Sequence, residues 1–461
     1  MSSISILREM RRLAERTPAH RDRHVDFLRA VAIVVVVVGH WMAVHVTYDG
    51  ELYGDTVLQL VPWTRPFTWL FQVMPVFFLV GGFANAASLT AHHNQGGNAV
   101  GWTLHRTDRL VRPTTLLLAV LAFAALLAKA LGMDPGLIGT AVWLGALPLW
   151  FLTAYLAVVV LTPPMLALHR RYGLAVPIVL TLLVAVGDAA RLVLHVPYVG
   201  EANFLCAWLA VHQLGFAWQD GRLPDRRGVS LPLALTGLAA LVLLTVVGPY
   251  PVSMVGVTGQ ELQNTSPPTL ALLALAATQT GLALLLHRRA RRWLGRRTPW
   301  TAVVAVNSVI MTLFLWHLTA AVLGALALYP TGLLPQPPPA SPTWFLVRVP
   351  WLIVLALILA VLVAVFGRFE RGTGPRPAPG SATGVLPGLL TLTGVACVLA
   401  GLLGIALADP GHHGPAGLPT LALAAYFTGA ATLRCALAVS LVRGGDAPLR
   451  PEIHSPPPRS P

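Results

Sequence analysis

The chain has 461 residues, of which 55% are hydrophobic and 11% are charged, and its formal net charge is +14. Soluble domains carry about 25% charged residues, so this composition and a mean hydropathy of +0.69 exclude a soluble enzyme, a disordered scaffold and a secreted disulfide-rich domain. The basic residues stand in short clusters between long apolar runs, which indicates membrane orientation rather than binding to nucleic acid.

Twelve apolar runs are long enough to cross a bilayer, which takes about 20 residues per helix. In chain order the predicted spans are 25–46, 67–90, 114–133, 140–163, 174–194, 202–219, 231–249, 268–287, 301–328, 344–367, 385–408 and 418–443. Proline and glycine mark many of their ends. The sequence therefore predicts an all-α polytopic membrane helix bundle.

The basic residues alternate between successive loops. With the N-terminus placed inside, nearly all of the 32 Lys and Arg residues fall in the N-terminal segment, the C-terminal segment and every second loop. Loops that remain inside carry such an excess of basic residues. We therefore expect a multi-pass protein of the cell membrane with both termini in the cytoplasm.

Composition divides the chain into five segments. A basic cytoplasmic segment, 1–24, precedes a functional core of ten helices, 25–367. A basic linker rich in Gly and Pro, 368–384, leads to an appended two-helix hairpin, 385–443. The Pro-rich tail 444–461 is predicted to be disordered.

The first span contains two ionisable residues at membrane depth, where such groups are costly and typical of functional sites. Arg29 lies at the inner end, and His40 follows eleven residues later, about 16 Å further along the helix axis. A snorkelling interfacial arginine and a core histidine satisfied by its neighbours are the structural alternatives.

The second span and the loop after it supply small and basic residues. Gly81 and Gly82 allow another backbone to approach or leave room for a ligand, although ordinary helix packing explains them too. Arg106, Arg109 and Arg112 recur every third residue, so on a helix they share one face that suits a phosphorylated ligand. Anchoring to lipid headgroups is the alternative.

Polar residues recur in the later spans and loops. They include Tyr155, His212, Asn264, Asn307 and His317. His40 and His317 lie in spans of the same direction and reach similar depth, while His212 lies near the middle of the sixth span. Three histidines at comparable depth favour a shared polar cavity over three separate structural histidines.

Several sequence motifs are missing. The chain has no P-loop, no GxSxG elbow, no HExxH and no CxxC pair. The sequence therefore gives no indication of an ATPase, a serine hydrolase or a zinc site.

The chain resembles the acyltransferase 3 family of membrane-bound acyltransferases through five segments within 25–367. These are DFLRA followed by GH, which contains Asp26, Arg29 and His40; FFLVGGF at 77–83; RTDRLVRP before the third span; LWFLTAYL around Tyr155; and LWHLT around His317. Gly81 stands where many members of the family carry Ser, and Phe151 takes an aromatic position that Tyr often holds. The core 25–367 is thus identified as an acyltransferase 3 core.

The resemblance implies transfer of an acyl group, often acetyl, from acyl-CoA to a hydroxyl of a glycan, a glycolipid or a small glycosylated metabolite. His40 would be the general base and Arg29, Arg106, Arg109 and Arg112 would bind acyl-CoA. No metal and no nucleic acid would take part, and lipids would be the remaining partners. The residues expected to bind the acceptor or to support the site are Asp26, Gly81, Gly82, Tyr155, His212, Asn264, Asn307 and His317.

Two other classes of function compete with this interpretation. A transporter of a lipid or small solute also has many spans and intramembrane histidines, but the two halves of the chain show no sequence symmetry. A non-catalytic membrane partner would retain the fold, but it would not need both Arg29 and His40.

Overall fold

The computed structural model describes residues 11–18, 21–371, 384–409 and 414–445. These ranges are mostly helical. The first eight long helices are α1 (Arg23–Ala43), α2 (Met74–Asn94), α3 (Ala99–Ala130), α4 (Pro135–Ala146), α5 (Leu149–Val160), α6 (Thr162–Tyr172), α7 (Ala175–Leu192) and α8 (Asn203–Gln219). Seven more follow as α9 (Arg227–Val242), α10 (Leu270–Trp293), α11 (Arg297–Asn307), α12 (Ile310–Leu328), α13 (Pro342–Arg371), α14 (Val385–Ala406) and α15 (Thr420–Gly445).

A small antiparallel hairpin follows α1. Its strands are β1 (Val44–Tyr48) and β2 (Leu52–Thr56), with Val46 opposite Gly54. Because α1 runs from the N-terminal segment to this hairpin, it defines two ends of the bundle. We call them the N-terminal face, which holds Asp22, and the hairpin face.

Side-chain oxygens set the starts of several helices. Asp22 accepts a hydrogen bond from the backbone N–H of His24 at the start of α1, and Asn98 and Thr269 cap α3 and α10 in the same way. Such caps satisfy backbone donors that a helix start leaves without a partner.

The predicted polytopic all-α fold is confirmed. Among the described residues, eleven helical segments are long and apolar enough to cross a membrane. The sixth predicted span forms α8, which has only 17 residues and lies among α2, α5 and α7, with most of its side chains buried. A mostly buried helix of this kind belongs to the interior of the bundle.

Two of the predicted spans each consist of two helices. The chain breaks at Leu147-Pro148 between α4 and α5, because proline lacks a backbone N–H and disturbs the preceding turn. It breaks again at Ser308-Val309, where Glu370 of α13 accepts hydrogen bonds from the backbone N–H groups of Met311 and Thr312 at 3.0 and 2.9 Å. These bonds cap the new start of α12.

The C-terminal helices join the core. Helix α13 continues through Arg371, so it includes the first residues of the predicted linker; 372–383, and the predicted tail from 446 onward, lie outside the described residues. Helices α14 and α15 pack against each other and against α5 and α3. The hydroxyl of Tyr426 in α15 donates to the carbonyl of Val111 in α3 at 3.0 Å.

Two apolar clusters form the core. One contains residues of α1, α3, α5, α12, α14 and α15, and the other contains residues of α2, α8 and α10. The ring of Phe151 packs against both clusters.

Candidate active site

The position of His40 on α1 shows which way its side chain faces. The most exposed apolar residues of the helix, Val31, Val34 and Met42, form one lipid-facing stripe. At about 100° per residue, His40 lies on the opposite side of the helix, next to the buried Ile33. Its side chain is nevertheless exposed. The imidazole therefore borders an open space inside the bundle, not the lipid.

Hydrogen bonds show that Nδ1 of His40 carries a hydrogen. Nδ1 lies 2.9 Å from the carbonyl oxygen of Val36, and a carbonyl can only accept, so Nδ1 carries the hydrogen. His317 likewise donates from Nδ1 to the carbonyl of Phe314 at 2.6 Å, which leaves its Nε2 as an acceptor 3.3 Å from Nδ1 of His40. When the ring of His40 is neutral, its Nε2 therefore holds the lone pair.

Helix α1 carries Arg29 on the same side as His40. Eleven residues make about three turns, so the two side chains line one face about 16 Å apart along the axis. Nη1 of Arg29 lies 3.6 Å from Asp26, and the buried Asp26 carboxylate also binds Arg21 at 2.5 Å. Asp26 thus holds two cations at the N-terminal face.

Arg106 reaches into the bundle from α3. Its Nε and Nη2 both donate to Oδ1 of Asn85, at 2.9 and 2.7 Å, and Nδ2 of Asn85 donates to Nε2 of His212 at 3.1 Å. Asn85 and His212 are fully buried. His212 therefore supports an arginine, whereas His40 and His317 form a separate pair. Arg106 is also within electrostatic range of Arg29 and Tyr155.

The structure separates the three arginines of α3 by environment. Arg106 points inward, Arg109 is exposed, and Nε of Arg112 lies 2.6 Å from Asp108. The same Asp108 carboxylate lies 3.6 Å from Arg434 of α15, so Arg112 is directed toward the appended helices. The sequence predicted that these three arginines share one face that suits a phosphorylated ligand. In the structure their guanidinium groups have three different surroundings.

Gly81 and Gly82 have different neighbours. A Cβ atom at Gly81 would lie 3.0 Å from Cε2 and 3.1 Å from the hydroxyl of Tyr155. The tyrosine ring thus lies directly beside Gly81. At Gly82 a Cβ atom would collide with the backbone carbonyl of His212, so this glycine allows α2 and α8 to approach closely.

The two predicted asparagines lie in structural positions. Nδ2 of Asn307 donates to the carbonyl of Asp26 at 2.9 Å and so ties α11 to α1. Asn264 donates to the carbonyls of Pro251 and Ser253 and accepts from the hydroxyl of Thr269. It therefore holds together the loop before α10.

Two residues of the site escaped the sequence analysis. Asn85 joins Arg106 to His212, and Glu370 caps the helix that carries His317 while lying within electrostatic range of Arg109. Each is a polar residue in or beside an apolar run, which is the only sequence signal they give. Within the described ranges, no group of three or more His, Cys, Asp or Glu residues is arranged to hold a metal ion.

Comparison with known proteins identifies the class. The family model of the Acyl_transf_3 acyltransferase domain matches residues 22–368, which include His40, the arginines and His317. The chain therefore belongs to the acyltransferase 3 family and is a multi-pass membrane acyltransferase. No curated protein and no solved structure matches it.

Proposed function

We propose that this protein transfers an acyl group, such as acetyl, from acyl-CoA to a hydroxyl of a carbohydrate, a glycolipid or a glycosylated metabolite, with His40 as the general base. The observation that carries the proposal is the placement of His40. Its Nδ1 is bonded to the carbonyl of Val36 and its ring borders an open space inside the bundle, which leaves Nε2 to accept a proton.

The basic loops support a cytosolic N-terminal face in the cell membrane. Acyl-CoA, which carries several phosphate charges, would arrive from this side. Arg106 lies within electrostatic range of both Arg29 and Arg109, and guanidinium groups bind phosphate with paired hydrogen bonds. The pantetheine arm would then follow the inner face of α1 from Arg29 toward His40.

In the proposed reaction, Nε2 of His40 removes the proton from the acceptor hydroxyl. The hydroxyl oxygen attacks the thioester carbonyl, a C–O bond forms and the C–S bond breaks. The leaving CoA thiolate takes the proton back from His40, so the products are the ester and free CoA. While His40 is charged, its Nδ1–H remains bonded to the carbonyl of Val36 and to Nε2 of His317, which stabilises the imidazolium.

The test uses purified protein in nanodiscs, radiolabelled acetyl-CoA and a lipid and glycan extract as acceptor. We expect label in the acceptor together with release of free thiol, and a fall of about 10³-fold in His40→Ala, the scale of general-base catalysis. His93→Ala is the matched control, because Nδ1 of His93 binds the carbonyl of Leu89 at 2.9 Å as His40 binds Val36. An unchanged rate in His40→Ala would overturn the proposal.

A further inference from the structure

A cleft lies at the hairpin face. It is open to the outside, and its walls come from β1, the loop that follows α12 and the start of α13. The polar groups in these walls include His45, Gln336 and Arg348, and aromatic rings of Trp344 and Trp351 surround them. Concave sites with a few converging polar groups are typical of ligand binding.

Arg348 is the cation of this cleft. Its Nη1 donates to the carbonyl of Val44, its Nη2 lies 3.4 Å from Nδ1 of His45, and its guanidinium covers the ring of Trp344 at 4.3 Å. A guanidinium has five N–H donors, so these contacts fix its position and leave donors available. Among the residues that the structure describes, no carboxylate pairs with Arg348. A half-buried, fixed cation of this kind favours an anionic ligand.

His45 supplies a second donor. Its Nδ1 faces the indole N–H of Trp344 and Nη2 of Arg348, each at 3.4 Å, so Nδ1 is the acceptor and the hydrogen lies on Nε2. Burial and the charge of Arg348 lower the pKa of His45, which keeps this ring neutral near pH 7. Asp55, opposite His45 in the hairpin, raises the pKa of His45 through its charge but does not outweigh burial and Arg348, and its carboxylate accepts from the backbone N–H of Thr56.

The cleft is connected to the histidine pair by two hydrogen bonds. The indole N–H of Trp351, which lines the cleft, donates to the carbonyl of Trp41 at 3.3 Å. The indole N–H of Trp41 donates to the carbonyl of His317 at 2.8 Å. Trp41 directly follows His40 in the chain. A group bound in the cleft therefore lies beyond His40, on the side opposite to the arginines of the N-terminal face.

We propose that the acceptor is anionic and that Arg348 and Nε2–H of His45 bind its carboxylate or phosphate group in this cleft. The inference rests on the proposed function, since it assigns the hairpin face to the acceptor and the N-terminal face to acyl-CoA. An acidic sugar or a sugar phosphate held there presents its hydroxyl toward His40. The charged group supplies affinity, and the hydroxyl supplies the nucleophile.

Binding can be measured without any acyl transfer. The protein is placed in phosphatidylcholine nanodiscs and titrated with glucuronate, glucose 1-phosphate and neutral glucose, with saturation-transfer NMR as the readout. We expect the anionic sugars to bind at least about tenfold more tightly than glucose, and Arg348→Gln to remove this difference. Arg348→Lys retains the charge but not the fork of donors, and we expect an intermediate affinity.

Arg65→Gln is the matched control. Arg65 is also near the hairpin and also donates to a backbone carbonyl, that of Leu58 at 3.0 Å, but it does not line the cleft. A thermal midpoint equal to that of the wild type shows that each variant is folded. Equal affinities for glucuronate and glucose, or equal losses in Arg65→Gln and Arg348→Gln, would overturn the proposal.

Two further outcomes separate this site from the proposed function. If phosphatidylglycerol added to the nanodiscs binds through Arg348 while neither anionic sugar binds, the site is a lipid contact and the proposal fails. If the anionic sugars bind through Arg348 but no label transfer occurs, the anion site is supported and the proposed function fails. If transfer occurs and Arg348→Gln leaves KM for the acidic acceptor unchanged, only the site is refuted.

Discussion

Two histidine sites differ in what surrounds the imidazole. At the N-terminal face, His287 lies between two carboxylates, with Nε2 2.9 Å from Asp22 and Nδ1 2.9 Å from Asp225. Deeper in the bundle, His40 has a carbonyl and a second histidine as neighbours. The first site uses both ring nitrogens, whereas the second leaves one with a free lone pair. A histidine between two acids is suited to structural pairing, and one with a free nitrogen is suited to proton transfer.

Pairing with His287 affects the pKa values of Asp22 and Asp225 at the N-terminal face. The hydrogen bond from His287 lowers the pKa of Asp225. Burial opposes ionisation of Asp22, but its bonds from His287 and from the backbone of His24 still hold its pKa below the usual value. The charges of this region are therefore compensated locally, and they stabilise the contact between α1 and α10.

Of three further substitutions, the loss of His317, the partner of His40, should have the largest effect. His317→Leu removes the acceptor for Nδ1–H of His40, so we expect kcat to fall by about 10 to 100-fold with KM for acetyl-CoA unchanged. His317→Gln retains a polar acceptor and should recover part of the rate. A kcat in His317→Leu equal to that of the wild type would show that the pair does not act as a unit.

Arg29 lies at the other end of the face of α1 that carries His40, and it should affect binding of the acyl donor. Arg29→Gln removes a guanidinium at the N-terminal face, and we expect KM for acetyl-CoA to rise about tenfold with a smaller change in kcat. Arg297→Gln is the control, because this arginine belongs to the same face and is 92% exposed. A fall in kcat alone would place Arg29 at the reacting atoms rather than at the phosphates.

The acidic pair around His287 should affect stability more than catalysis. A carboxylate with a depressed pKa stabilises the folded state above its unfolded pKa of about 3.9, and this contribution disappears as pH falls through the folded value. We therefore expect Asp225→Asn to lower the thermal midpoint by a few degrees at pH 7 and the difference from wild type to disappear well below pH 4.

Thermal unfolding in detergent between pH 3 and pH 7 measures this dependence. Asp49→Asn, in the exposed turn of the hairpin, serves as the control and should leave the midpoint unchanged. If the thermal midpoints of Asp225→Asn and wild type still differ at pH 3, the stabilising role of the Asp225–His287 pair is contradicted.

The sequence by itself determined the features that depend on local spacing. Long apolar runs predicted nearly all membrane helices, and the interval between Arg29 and His40 placed both on one helix face. That two residues eleven positions apart share a face follows from the intrinsic geometry of a helix, which needs no information about neighbours.

Only the tertiary structure decided which polar groups meet. His317 joins His40 across 277 positions of sequence, while His212 binds Asn85 and supports Arg106. The break before α12 depends on Glu370 of another helix, and the proposed anion site depends on β1 meeting α13. Hydrogen bonds between helices are short and directional, so their partners are set by how the bundle packs, which periodicity within one helix does not encode.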